Sequence, residues 1–274
     1  MWQRMIPAEA AGLSTMGLIT NTDYLSTMNR FIQPLVVEAN KGLGNRLKAL
    51  ISAICGADEL SKKIHVIWSV TTECGAKFLD LFQPTLPVWV HVHDQLSVGY
   101  TQHACDTQAE WDSIKREGIY LKSGARFHTT NEVKFEYWLR SLKPVSSITD
   151  AVSRTFGSAT GVVGVHLRRT DHTVAITSSP NSAFISAMQA MPSTTKFFVA
   201  SDSEADRAAL EIAFPGRILT IAKNLTRNSK EGLQDALKDF VGLSKCVSIL
   251  GSKGSSFSEV AAAYGGVPLT VVSV

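Results

Sequence analysis

Cysteine is scarce in this 274-residue chain, and Cys55, Cys74, Cys105 and Cys246 form no C-x-x-C. They read as free thiols in a reducing compartment, not as a disulfide framework. No apolar run reaches the roughly 18–20 residues of a membrane-spanning helix. Residues 1–30 lack the sustained apolar core of a secretory signal and read as a loosely ordered leader. The sequon Asn224-Leu225-Thr226 then carries little weight, and the chain is expected to be soluble and cytoplasmic. Basic density is also missing. A net charge of +3 with no Lys/Arg-rich face excludes a nucleic-acid footprint but suits a small anionic ligand. Neither an internal repeat nor a low-complexity tract is present.

What is present is alternation. Segments of strand character ("QPLVVEA", "KIHVIWSV", "VWVHVHD", then "GVVGVHL", "KFFVAS", "RILTIA", "CVSIL", "PLTVVSV") are interleaved with segments of helical periodicity. In the first helix Leu47, Leu50, Ile51 and Ile54 fall on one face. "WDSIKREG" and "EVKFEYWLRSL" read as helices or short mixed segments. Strand–helix alternation predicts an α/β fold with mainly parallel sheets. A proline and several small residues in "LKPVSSITDAVSRTFGSATG" place a domain boundary near 144–158. Two Rossmann-like domains follow, 31–150 and 151–274, with ligands in the cleft at the carboxyl ends of the strands.

Three constellations fall at such ends. The buried-looking strand "GVVGVHL" runs into His166, Arg168, Arg169, Asp171 and His172. A guanidinium offers a planar fork for phosphate oxygens. Alternation along an extended strand puts His166, Arg168 and Thr170 on one face and Arg169 and Asp171 on the other. The bland alternative is a surface arginine pair neutralised by Asp171. The second constellation is "SILGSKGSSFSEV". A Gly/Ser loop with Lys253 leads to Ser255 and to a helix start where Ser256 and Glu259 have capping-box spacing, a place for an anion or simply a well-capped helix. The third is "EANKGLGNR". Gly42 and Gly44 allow a tight turn ahead of a helix carrying Asn45 and Arg46, and Glu38 is either a base or an ion-pair partner of Arg46 or Lys41. Leu47 in place of a third glycine rules out the dinucleotide fingerprint, and no G-K-[S/T] makes a P-loop.

No metal site is expected. Asp202 and Glu204 have D-x-D-like spacing, but acidic residues at a helix start follow from capping and the helix dipole. His91 and His93, with His103 and Cys105 downstream, lack a tight ligand quartet and read as partly buried strand histidines.

Taken together, "GLGNR", "GVHLRRTD", "FFVASD" and "LKDFVGLSKCVSILGSKGSSFSEVA" occur in the order found in the GDP-fucose-dependent fucosyltransferase superfamily. The chain resembles this group, which contains the α1,6-, α1,2- and protein O-fucosyltransferases, over most of 33–274. The resemblance implies a GT-B fold, two Rossmann-like domains with the donor mainly in the second and the acceptor glycan on the side of the first. It implies inverting, metal-independent transfer from a nucleotide-sugar co-substrate, with no further cofactor. Arg168 resembles the family's arginine on the donor pyrophosphate, and His166 the residue beside the base. Asp239 resembles the aspartate reading guanine N1 and N2, and Ser255 a phosphate-binding serine. Gly42, Gly44, Asn45, Arg46, Asp202, Lys253 and Ser256 complete the expected donor site. One departure concerns the base. The α1,6 group carries an acidic residue a few positions beyond R-R-x-D, whereas "HTVAITSSPN" has no carboxylate. The base is left among Asp171, His172 and Glu38. The alternatives are a UDP-sugar donor such as UDP-xylose, or a binding protein that has lost catalysis.

Overall fold

The computed structural model describes residues 34–99, 101–115, 119–223 and 226–274. The expected leader and two residues of the sequon, Asn224 and Leu225, lie outside them. Two five-stranded sheets organise the chain. The first is built from β1 (Leu35–Ala39), β2 (Ile64–Ile67), β3 (Val90–His93), β4 (Gln102–Ala104) and β5 (Tyr120–Ser123), in the order β3-β2-β1-β5-β4. The second contains β6 (Val163–Leu167), β7 (Phe197–Ser201), β8 (Ile218–Leu219), β9 (Ser248–Ser252) and β10 (Leu269–Val272), in the order β10-β9-β6-β7-β8. Every pairing between these strands is parallel. Parallel neighbours need crossovers, and among the described residues ten helices lie between the strands: α1 (Leu43–Glu59), α2 (Phe78–Leu81), α3 (Gln108–Ile114), α4 (Glu132–Ser141), α5 (Ser146–Phe156), α6 (Thr173–Ser178), α7 (Asn181–Gln189), α8 (Glu204–Ala213), α9 (Lys230–Ser244) and α10 (Ser256–Gly265). The α/β architecture read from the alternation is the observed one.

Several elements depart from the sequence reading. β4 and β5 were not anticipated, being three and four residues long, too short to show a period. "RILTIA" contributes only the two residues of β8. The stretch read as a boundary lies between the strands of the first sheet and those of the second and contains α5, which buries Ile148 and Val152 and lies along α9. Its small residues belong to the helix's exposed side, and Pro144 falls just before its start.

Alternation along β6 sets the site. Val163, Val165 and Leu167 join one core with Phe184, Met188 and Leu210 of α7 and α8. Gly164 and His166 face the other way. A Cβ at Gly164 would stand 3.0 Å from the Leu243 side chain of α9. The larger core joins α1, β1 and β2 to Phe198, Leu237, Phe240 and Val260, so it runs from one sheet into the other.

Candidate active site

A cavity of about 530 Å³ lies at the carboxyl ends of β1, β6 and β7 and at the starts of α1 and α10. Gly42, Gly44, Asn45, His166, Arg168, Asp171, His172, Asp202, Asp239, Ser255 and Ser256 line it. Glu38, Arg46 and Lys253 do not.

β6 ends at Leu167, and the chain turns before the alternation can continue through the charged run. Arg168 donates to Asp202 Oδ2 at 2.8 Å and also pairs with Asp171. Asp171 therefore shares the Arg168 cluster instead of standing opposite it with Arg169. Arg169 turns away from the cavity. Its guanidinium donates to Asn181 Oδ1 at 2.7 Å and lies over the Phe184 ring. Arg227 joins from the loop before α9, reaching Asp171 at 2.8 Å, Asp202 at 3.2 Å and Thr170 Oγ1 at 3.2 Å. Each guanidinium has five N–H groups, so Arg168 and Arg227 keep donors for an incoming anion.

Ser252, at the end of β9, clamps the end of β6. Its hydroxyl accepts from the Arg168 amide at 3.1 Å and donates to the His166 carbonyl at 3.2 Å. His166 is stacked on Phe257 with ring centroids 4.9 Å apart. Burial pushes its pKa down to about 3, so the ring is neutral. The start of α10 differs from the expected capping box. Ser255, not Ser256, is the N-cap and makes no side-chain cap bond. Glu259 instead pairs with Lys48 of α1. The first amides of α10 have no partners within the helix, and Ser255 and Ser256 put that end on the cavity wall.

At the α9 side, Asp239 is 6% exposed and pairs with Lys223 through Oδ2. Its other oxygen, Oδ1, is buried without a partner among the described residues. Burial pushes the carboxyl up to about 6 even though the Lys223 ammonium opposes the shift.

The glycines act differently from the sequence expectation. Gly42 has φ −74°, open to any residue, and the left-handed position is Lys41 at φ 64°. Space at Gly44 is tight: a Cβ there would meet the backbone of Ser256 and Phe257 at 3.2 Å, where α1 crosses the start of α10. Arg46 is 1% exposed and donates to the carbonyls of Lys41 at 2.8 Å and Ser69 at 2.6 Å and to Thr71 Oγ1 at 2.9 Å. It braces the loops around the cavity and does not line it. Lys253 is exposed, and its amide is held by Ser179 Oγ at 2.9 Å.

The three base candidates fare as follows. Glu38 lies outside the cavity, bonded to Lys122 at 2.7 Å, Tyr120 at 2.5 Å and Gln102 at 2.9 Å, none of them the partners expected. Partial burial raises its carboxyl, but these bonds outweigh burial and lower it. Asp171 is also pushed up by burial and carried below its ordinary value by Arg227 and Arg168. His172 caps α6, its Nδ1 accepting from the Ala175 amide at 3.1 Å. The ring proton therefore sits on Nε2, which donates and cannot accept.

Asp202 is not arranged as a metal clamp. Oδ2 accepts from Arg168, Thr170 and Arg227, and Oδ1 accepts from the Arg169 amide at 2.7 Å. Glu204 pairs with Arg207. His65 stacks between His91 and His93. Among the described residues no group of three or more His, Cys, Asp or Glu is placed to hold a metal ion, and no helix is long and apolar enough to cross a membrane.

Among the charged residues lining the cavity, Lys48, Glu73, Arg126, Lys223 and Arg227 escaped the sequence reading. Lys223 and Arg227 fall in a stretch of sequence without periodicity, and Glu73 lies in the loop after β2. Lys48 shares the face of α1 that meets α10, which only the tertiary arrangement reveals.

No protein-family model and no curated protein sequence matches the chain. Solved structures do. NodZ α-1,6-fucosyltransferase of Bradyrhizobium, soaked with GDP-fucose, aligns over 87% of this chain and 94% of its own at TM-score 0.64 and 19% identity. POFUT1 in complex with GDP aligns over 89% and 99% at 0.58 and 13% identity. A mutant of Arabidopsis thaliana FUT1 in complex with GDP aligns over 90% and 74% at 0.60 and 12% identity. The chain has the two-sheet GT-B fold of these fucosyltransferases.

Proposed function

We propose that a protein with this fold and this cavity is an inverting glycosyltransferase. It moves fucose from GDP-fucose to a hydroxyl of a glycan, with the donor on the side of 151–274 and the acceptor on the side of 31–150. The observation that carries the reading is Asp239. A buried carboxylate oxygen without a partner costs about 1–3 kcal/mol, and Asp239 Oδ1 is such an atom on the wall of a cavity that also holds Arg168 and Arg227. Guanine N1–H and N2–H are donors of the kind it lacks. NodZ soaked with GDP-fucose, and POFUT1 and FUT1 with GDP, support the same donor.

In this reading Arg168, Arg227 and the free amides of α10 receive the negative charge that grows on the diphosphate as the glycosidic bond breaks. Because those groups are already fixed, little reorganisation is needed at the moment of reaction. The cations are guanidinium groups, so the reaction needs no divalent metal. His166, neutral and stacked on Phe257, forms an uncharged floor beside the nucleotide.

Lys223 favours a second reading. Its ammonium beside Asp239 can donate to a pyrimidine carbonyl, as a UDP-sugar such as UDP-xylose would require. A thermal-shift panel of GDP, UDP, ADP and CDP separates the two. Stabilisation by GDP alone supports the first reading, and stabilisation by UDP alone replaces it with the second. Slow donor hydrolysis without acceptor distinguishes an enzyme from a protein that only binds.

A further inference from the structure

Among the described residues five carboxylates line the cavity, and four have partners. Asp171 and Asp202 are held by Arg168 and Arg227, Asp239 by Lys223, and Glu259 by Lys48. The fifth, Glu73, makes no hydrogen bond or ion pair with any described residue. It is exposed, and it comes from the first sheet's side of the cavity, in the turn after β2.

The turn is braced on two sides. Thr71 and Cys74 exchange backbone hydrogen bonds at 3.0 and 3.2 Å, and Cys74 is fully buried. Arg46 grips the turn through Ser69 and Thr71. Two residues beyond Glu73, the Gly75 amide donates to the Arg227 carbonyl at 2.8 Å. A Cβ at Gly75 would stand 2.2 Å from the backbone of Asn228, so only glycine permits this approach. The same joint therefore fixes Glu73 relative to Arg227, which serves the diphosphate cluster. The carboxylate and the guanidinium groups come from different halves of the chain, as a reaction attacked from one side and departed from the other requires.

We infer that Glu73 is the general base of the transfer, an assignment that rests on the glycosyltransferase reading above. The Glu73 carboxylate takes the proton of the acceptor hydroxyl. That oxygen forms a bond to the anomeric carbon of the nucleotide-sugar. The bond from that carbon to the diphosphate breaks, its electron pair leaves on the terminal phosphate oxygen, and Arg168 and Arg227 hold the charge. Glu73 then returns the proton to solvent.

The test compares wild-type protein with Glu73→Gln and Glu73→Asp, using GDP-fucose with a panel of oligosaccharides and, without acceptor, donor hydrolysis. Glutamine is isosteric, and the position is exposed, so melting temperature and GDP affinity should stay within experimental spread of wild type. General-base catalysis contributes about 10²–10⁴-fold. Turnover of Glu73→Gln should therefore fall at least about 100-fold with donor KM little changed, and Glu73→Asp should recover part of it. Wild-type turnover matched by Glu73→Gln overturns the assignment and leaves the functional reading standing. Loss of GDP binding in Glu73→Gln also overturns it, in favour of a structural role. A wild-type protein that neither binds nor turns over any nucleotide-sugar overturns the functional reading and the base with it.

Discussion

Arg168 and Arg169 are neighbours with opposite surroundings. Arg168 lies in the cavity between two carboxylates, and Arg169 is 8% exposed against Asn181 and Phe184. Lysine at 168 keeps the charge and loses the bidentate fork. Arg168→Lys should lower kcat at least about tenfold, or about 1.4 kcal/mol of barrier, in steady-state kinetics with a smaller change in donor KM. Arg169→Lys should be milder and act through stability. Asp239 supplies a pH prediction. Its carboxyl is raised to about 6, above its unfolded value, so the native state holds this proton longer than the unfolded chain. Its contribution to stability is thus present at acid pH and is lost as pH rises to about 6. Nucleotide binding runs the other way, since only the ionised group accepts two N–H bonds. GDP affinity, followed by calorimetry, should weaken as pH falls through about 6, while UDP affinity stays level. Asp239→Ala should flatten the GDP profile and cost about 1.5–3 kcal/mol of GDP binding; equal losses for GDP and UDP would reject the guanine role.

At the scale of elements, close approach of backbones governs the site. Gly232, in the first turn of α9, lies under the loop that carries Arg227, and a Cβ there would stand 1.8 Å from the Thr226 carbonyl oxygen. A backbone atom cannot rotate aside. Gly232→Ala should displace the loop at a cost of about 1–3 kcal/mol, seen as a lower melting temperature, and should weaken GDP binding by shifting Arg227. A substitution that leaves both unchanged would detach Arg227 from the donor. The helices themselves were largely legible. Leu47, Leu50, Ile51 and Ile54 are all fully buried on α1, as their spacing requires. Residues capping α8 and α9, Ser203 and Ser229, also follow the usual chemistry. β4 and β5 were missed because three or four residues show no period.

For the molecule as a whole, the core that passes between the sheets holds the cavity walls in register. GDP at 100 times its Kd should add about 2.7 kcal/mol of stability, read as a rise in melting temperature that UDP does not match. Turnover should survive EDTA, because Arg168 and Arg227 occupy the oxygens of Asp202 and Asp171. Loss on chelation with recovery in manganese would return the site to Asp202 and Glu204.

Local pattern was enough for the α/β class, for the main helices and strands, and for the arrival of His166 and Arg168 at a strand's end, because periodicity and strand alternation are properties of neighbouring residues. Which arginine faces the cavity does not follow from alternation, because β6 stops at Leu167, before either of them. Beyond Leu167 the tertiary structure decides. It places Asp171 with Arg168, bonds Arg46 to the loops around the cavity, and brings Lys48, Glu73, Lys223 and Arg227 to one cavity from loops and helices as much as 179 positions apart. No local signal marks such residues, since their meeting depends on contacts between elements distant in the chain, set by the shared core and by Gly44, Gly75 and Gly232, where backbones nearly touch.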